Sequence, residues 1–208
     1  MNSKKAIAQL KQLEELIPAD EKDMRLAAEW GEDWQVLIST ILSSQTKDEV
    51  TISVSEVLYK KYSRVGKLAN ANLKSIEQII GRVNFYKTKA RNIRETAKII
   101  SENKGEIPEK IEGLLKFPGV GRKVGNVYLA AARNTAAIGV DTHVARLAVK
   151  LGWTKAKFSE KHKIEKDLEK LFAEKYWNSI NYVLVRFGRS VGRSRKREDE
   201  VLKDVKKM

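Results

Sequence analysis

Two side chains in this sequence stand where covalent chemistry is easiest to imagine. Lys123 lies two residues after a glycine turn, Gly119-Val120-Gly121, and Asp141 lies eighteen residues further on, in Gly139-Val140-Asp141-Thr142-His143. An uncharged lysine amine is a nucleophile that can form a covalent intermediate with an electrophilic carbon. A glycine turn that opens a helix presents backbone N–H groups at the positive end of that helix, which is an anion site. Glycines at positions 119 and 121 let a phosphate approach the backbone closely. A carboxylate at position 141 suits the first turn of a following helix, where it can also serve as the cap.

The elements that must hold these groups read as helices. Pro108 fits the first turn of a helix, Pro118 and Gly119 end it, and both turn glycines permit positive φ. From Arg122 the apolar stripe resumes with Val124, Val127, Tyr128 and Ala131. Beyond Asp141 another stripe runs through Val144, Leu147, Ala148 and Leu151. Upstream, Leu10, Leu13 and Ile17 edge an N-terminal helix that Pro18 ends. Trp34 to Leu42 is apolar enough to be a central buried helix, and it exits into Ser43-Ser44-Gln45-Thr46. Asp48 starts a helix striped by Val50, Val54, Val57 and Leu58, and shorter pieces follow to Ile80. Gly81 to Asn84 forms a turn. Phe85-Tyr86-Lys87-Thr88-Lys89 opens a long helix with Ala90, Ile93, Ala97 and Ile100 on one face. Ile164, Leu168, Leu171 and Phe172, then Trp177, Ile180, Leu184 and Phe187, mark two more. Every strong period is near 3.6 residues, so the fold class is all-α.

The chain has 208 residues, of which 42% are hydrophobic and 33% charged, the balance of a globular domain rather than a disordered one. No apolar run approaches the roughly 20 residues that span a bilayer, and Met1-Asn2-Ser3-Lys4-Lys5 lacks the apolar core of a signal peptide. Lys and Arg outnumber Asp and Glu by 41 to 27, a formal charge of +14. That excess favours a polyanionic partner, nucleic acid first. There is no cysteine, which removes disulfides and thiolate metal sites. His143 and His162 form no metal constellation, and no metal site is expected.

The segments Leu42-Ser43-Ser44-Gln45, Phe85-Tyr86-Lys87-Thr88-Lys89-Ala90, Phe117-Pro118-Gly119-Val120-Gly121-Arg122-Lys123 and Val140-Asp141-Thr142-His143 together resemble the helix–hairpin–helix DNA glycosylases, within them the endonuclease III branch. The resemblance covers most of the chain, from Trp34 to Arg189. It implies two helical lobes flanking a DNA-binding cleft. One lobe is a bundle of about six helices over 24–133 that ends in the hairpin; the other combines 1–23 with 134–208. It implies a base-excision-repair glycosylase with AP lyase activity on oxidised pyrimidines, with Lys123 as nucleophile and Asp141 as the group that stabilises the sugar cation. By the same resemblance Gln45 fills the gap left by an extruded base and Phe85 wedges into the stack. Lys87 and Lys89 then contact phosphates beside the wedge, and Gly119, Val120, Gly121 and Arg122 hold a phosphate at the hairpin.

The partner so implied is duplex DNA carrying a damaged base or abasic site, with no membrane, bound by a monomer inside the cell. Members of this branch usually close the second lobe with a four-cysteine iron–sulfur cluster just after the segment matching Phe187-Gly188-Arg189. This sequence has Gly192 and a basic run, Arg193 to Arg197, in its place, so no such cluster is expected and packing of Val201, Leu202 and Val205 is expected instead. The hairpin carbonyls can hold a structural monovalent cation. Two alternatives remain open here. The same fold could act on mismatched thymine or uracil, although enzymes that use water and an aspartate alone usually lack a lysine at position 123. A non-catalytic hairpin DNA-binding module would explain the charge, but it gives no reason for Asp141.

Overall fold

The computed structural model describes residues 1–207, the side chain of Arg193 excepted. Among the described residues every regular element is helical. They are α1 (Ser3–Glu15), α2 (Ala19–Lys22), α3 (Asp33–Ser43), α4 (Asp48–Lys61), α5 (Val65–Ala69), α6 (Leu73–Ile79), α7 (Tyr86–Glu102), α8 (Ile111–Leu114), α9 (Arg122–Ala132), α10 (Thr142–Lys150), α11 (Lys161–Leu171), α12 (Trp177–Arg189) and α13 (Arg195–Lys207), with single 3-10 turns before and after α12. The chain divides into two compact units, Arg25–Thr135 and Met1–Met24 with Ala136–Met208.

In Arg25–Thr135 the organising element is α3. Trp34, Val36, Leu37, Ile38, Ser39, Thr40, Ile41 and Leu42 are all buried, so the helix is enclosed on every side by α4, α7 and α9. Burying each of these Leu or Ile side chains is worth about 1.5–3 kcal/mol. The two hydroxyls in this run cost little, because Ser39 and Thr40 donate back to the Val36 carbonyl at 3.0 and 2.7 Å. At the far end of α9 the Arg133 guanidinium pairs with Asp33 at 2.5 Å, tying the last turn of α9 to the first turn of α3.

The hairpin's first helix is much shorter than expected. Pro108 does not occupy its first turn but precedes it, and the four-residue α8 begins after Lys110. The physical reason is close packing of the proline ring on Gly113, where a Cβ would lie 2.5 Å from Pro108 Cβ. A proline folded back onto the helix cannot also be part of it.

In the other unit, α1, α10, α11, α12 and α13 enclose a core that includes Leu13, Val144, Leu147, Leu168, Phe172, Leu184 and Phe187. Leu202 and Val205 join this core and Val201 packs on its edge, as the sequence pattern suggests. The sequence pattern gave no hint of a buried carboxylate on the same helix. Glu198 is fully buried, and it accepts from Arg146 Nη2 at 2.8 Å and from Lys150 Nζ at 2.7 Å. Gly192 makes room for this pair, since a Cβ there would stand 2.5 Å from the Glu198 carboxylate. This chain closes its last helix with an ion-paired network and apolar contacts.

Burial alone would raise the Glu198 pKa, but hydrogen bonds from Arg146 and Lys150 win and hold it below its ordinary value. The network's contribution to stability is therefore complete above about pH 4.5 and is lost as pH falls through the folded-state pKa. Glu198→Gln leaves two cations facing a neutral amide, and it should lower unfolding free energy by about 3 kcal/mol at neutral pH. Thermal melts from pH 7 down to pH 3 should show a flatter acid dependence for the variant than for the native protein; parallel curves would remove Glu198 from the acid response.

Candidate active site

The hairpin turn is fixed from three sides. Phe117 N–H donates to Leu114 O at 3.0 Å, Val120 N–H donates to Phe117 O at 3.1 Å, and the Thr96 hydroxyl on α7 donates to Pro118 O at 3.1 Å. Gly119 takes φ +81°, and a Cβ there would lie 2.8 Å from Asn92 Nδ2 and 3.1 Å from Ile41. Glycine is required at 119 both by conformation and by space. Gly121 behaves differently from expectation. Its φ of −94° and ψ of 177° are extended backbone that any residue adopts, and it caps α9. What glycine supplies at 121 is an open approach, since nothing lies within 4 Å of a Cβ there.

Among the backbone donors expected for a phosphate, Val120 N–H is committed to Phe117, and the Val120 side chain is buried. The N–H groups of Gly119 and Gly121 take no acceptor among the described residues. Arg122 and Lys123 open α9, both half-buried. The nucleophile candidate thus stands in the first turn of a helix, at its positive end.

Two of the expected DNA contacts, Gln45 and Phe85, lie on loops joined in one place in the same unit. Gln45 and Phe85 both adopt left-handed backbone, φ 56° and 58°, although neither is glycine. Asn84 joins the two loops: its N–H donates to Thr46 Oγ1 at 3.3 Å, and its Nδ2 donates to the Gln45 carbonyl. Phe85 is 65% exposed, the most exposed large apolar side chain among the described residues. Phe85 is thus no core aromatic, while Tyr86 is half-buried. A left-handed residue costs about 1–3 kcal/mol, and such strain concentrates at functional sites. Lys87 is exposed in the first turn of α7.

Lys89 corrects the sequence reading. Instead of reaching outward to phosphate, it is 6% exposed. Its ammonium donates to Leu42 O at 2.7 Å, Ser44 O at 2.5 Å and Thr46 Oγ1 at 3.2 Å. All three of its protons are used within the chain, so none is left for DNA. The cause is the C-terminus of α3, whose last carbonyls need donors and attract a cation. Burial, and next the charge of Lys123, push its pKa down to about 8.

Asp141 belongs to the other unit and caps α10, its Oδ1 accepting from Val144 N–H at 2.8 Å. Only that carboxylate oxygen is engaged among the described residues. Sequence reasoning missed what positions Asp141. Asn181 on α12 clamps Gly139, accepting from its N–H at 2.9 Å and donating to its carbonyl at 2.7 Å. Asn178 accepts from Ala137 N–H at 3.1 Å. Two asparagines three residues apart on an apolar helix were the available signal. Lys161 donates to the Asp141 carbonyl at 3.3 Å; burial lowers its pKa and the Asp141 charge opposes that. His143 is a structural residue: it lies 3.2 Å from Arg146 Nη2 and under Gly188, and burial lowers its pKa.

Residues 38–174 match the model of the HhH-GPD superfamily base excision DNA repair protein family. The chain belongs to this family. Endonuclease III of Thermotoga maritima is 40% identical over 159 residues, covering 76% of this chain and 74% of that one. Endonuclease III of Synechocystis is also 40% identical, over 164 residues, with 78% and 74% covered. A solved structure of a trapped endonuclease III–DNA covalent intermediate superposes with a TM-score of 0.83 at 28% identity, over 93% of this chain and 89% of the other. The family's hairpin is the α8–turn–α9 segment, and the endonuclease III resemblance holds.

The two hairpin glycines should respond oppositely to substitution. Gly119→Ala places a Cβ in left-handed backbone against Asn92 and should cost at least about 1–2 kcal/mol. Gly121→Ala should stay within about 0.5 kcal/mol of native. Urea denaturation of both variants checks this; equal losses would refute the assignment of distinct roles.

Proposed function

We infer that this protein is a base-excision-repair DNA glycosylase with AP lyase activity that acts on duplex DNA. The observation that carries the reading is 40% identity to endonuclease III across about three quarters of both chains, with a lysine in the first turn after the hairpin. The net charge of +14 suits a phosphate-rich partner. We propose oxidised pyrimidines as the substrate class.

The proposed reaction starts with the damaged nucleotide leaving the stack, because its sugar carbon is inaccessible in a duplex. The Lys123 amine bonds to C1′ as the glycosidic bond breaks, and the base leaves with the electron pair. Ring opening gives the protonated Schiff base between Lys123 and the sugar. Removal of a C2′ proton then expels the 3′ phosphate and cuts the strand. The unengaged oxygen of Asp141 stabilises the cationic sugar, an electrostatic role that needs a carboxylate fixed in advance. Gly119 and Gly121 N–H groups, with Arg122, hold a phosphate at the start of α9. Gln45 and Phe85 occupy the space and the step that the extruded base vacates.

The hairpin carbonyls of Leu114, Phe117 and Pro118 each accept one hydrogen bond and keep a second lone pair. Neutral oxygens of that kind fit a hard cation, and these residues would hold a monovalent ion that stiffens the turn. No chemical step uses it. For an iron–sulfur cluster the residues do not fit, since the sequence holds no cysteine.

Borohydride reduction in the presence of a duplex abasic site should trap a covalent protein–DNA adduct. Lys123→Ala should give none, and an adduct of undiminished yield in that variant would move the nucleophile elsewhere. Asp141→Asn keeps a good helix cap, so it should fold normally yet excise a damaged pyrimidine at least about 100-fold more slowly. Excision at the native rate would take Asp141 out of the mechanism.

A further inference from the structure

The buried ammonium of Lys89 lies at the crossing of two loops that no continuous helix connects. One loop leaves α3 through Ser44, left-handed Gln45 and Thr46; the other enters α7 through Asn84 and left-handed Phe85. From the first turn of the second loop's helix, Lys89 binds Leu42 O in the last turn of α3 and then Ser44 O and Thr46 Oγ1 in the first loop. Thr46 Oγ1 in turn accepts from Asn84 N–H, and Asn84 Nδ2 reaches the Gln45 carbonyl. Each polar group in this knot serves a group on the opposite loop, so neither loop can shift without breaking bonds in the other.

Holding two non-glycine residues in left-handed backbone requires a surrounding structure that over-determines them. Here the over-determination comes from the Lys89 ammonium together with Asn84. A lysine buried under outward-facing loops is expensive unless every proton is matched, and it does not stabilise a core that is otherwise apolar. Its location is explained if what it secures is the relative placement of the Gln45 and Phe85 side chains.

We propose that Lys89 is a positioning residue that locks the Gln45 loop and the Phe85 loop into one rigid element, so that both side chains enter the duplex together at a fixed spacing. This rests on the reading that Gln45 and Phe85 enter DNA. It assigns Lys89 no contact with substrate.

The experiment places 2-aminopurine opposite a tetrahydrofuran abasic analogue in a duplex and reads its fluorescence at saturating protein. Cleavage of a natural abasic site is measured in parallel in duplex and in single-stranded oligonucleotides. Lys89→Met should lose most of the fluorescence change and cleave the duplex about 10- to 100-fold more slowly, the scale of an angstrom-sized misplacement. Single-stranded cleavage, which needs no duplex opening, should be little changed. Full fluorescence change and native duplex cleavage would overturn the proposal, as would an equal fall on both substrates. Thr46→Val removes only the central acceptor and spares the buried charge. It should reduce the fluorescence change at a temperature where the variant is still fully folded, and an unaltered signal would overturn the proposal even if Lys89→Met fails to fold. A Gln45→Ala, Phe85→Ala double variant separates the two levels. If it keeps the native signal, the underlying reading of those side chains fails; if it loses the signal while Lys89→Met keeps it, only the role of Lys89 fails.

Discussion

The end of α3 sets the problem that the rest of Arg25–Thr135 solves. A helix enclosed on all sides cannot leave its final carbonyls to water, and this one also turns sharply through a left-handed residue as it ends. A buried ammonium meets both demands: it satisfies the Leu42 and Ser44 carbonyls and fixes the path of the chain beyond them. Because that ammonium is carried by the first turn of α7, the helix end and the loop before α7 become one structure. Strain that would otherwise relax is thus held in place.

The same logic recurs at the hairpin. Gly119 is pressed against Ile41 near the end of α3 and Asn92 on α7, and Thr96 on α7 holds the Pro118 carbonyl. The turn that presents Lys123 is therefore braced by the two helices that carry the Gln45 and Phe85 loops. Lys123, the turn and the two loops are thereby referenced to a single rigid frame.

In the other unit the problem is how to close a last helix around a buried charge. A lone carboxylate among apolar side chains would be costly, but Glu198 is matched by Arg146 and Lys150. The pair adds direction to contacts from Leu202 and Val205 that have none of their own. In the same unit the side chains of Asn178 and Asn181 on α12 hydrogen-bond the backbone of Ala137 and Gly139, and so hold the extended segment that leads to Asp141.

By itself the sequence determined the helical class, the hairpin and the cap at Asp141, because each is encoded by residues close in the chain: periodicity, glycine, proline, a capping carboxylate. Family membership was legible for the same reason, through short local motifs around Gly119, Lys123 and Asp141. Only the tertiary structure decided that Lys89 turns inward, that Gly121 is extended while Gly119 is left-handed, that Pro108 stays outside α8, and that Glu198 is buried. Each of those depends on partners 5 to more than 40 residues away. A lysine's direction, or a carboxylate's burial, is set by which unmatched charges or carbonyls the fold brings beside it, and a pattern of spacing carries no record of them.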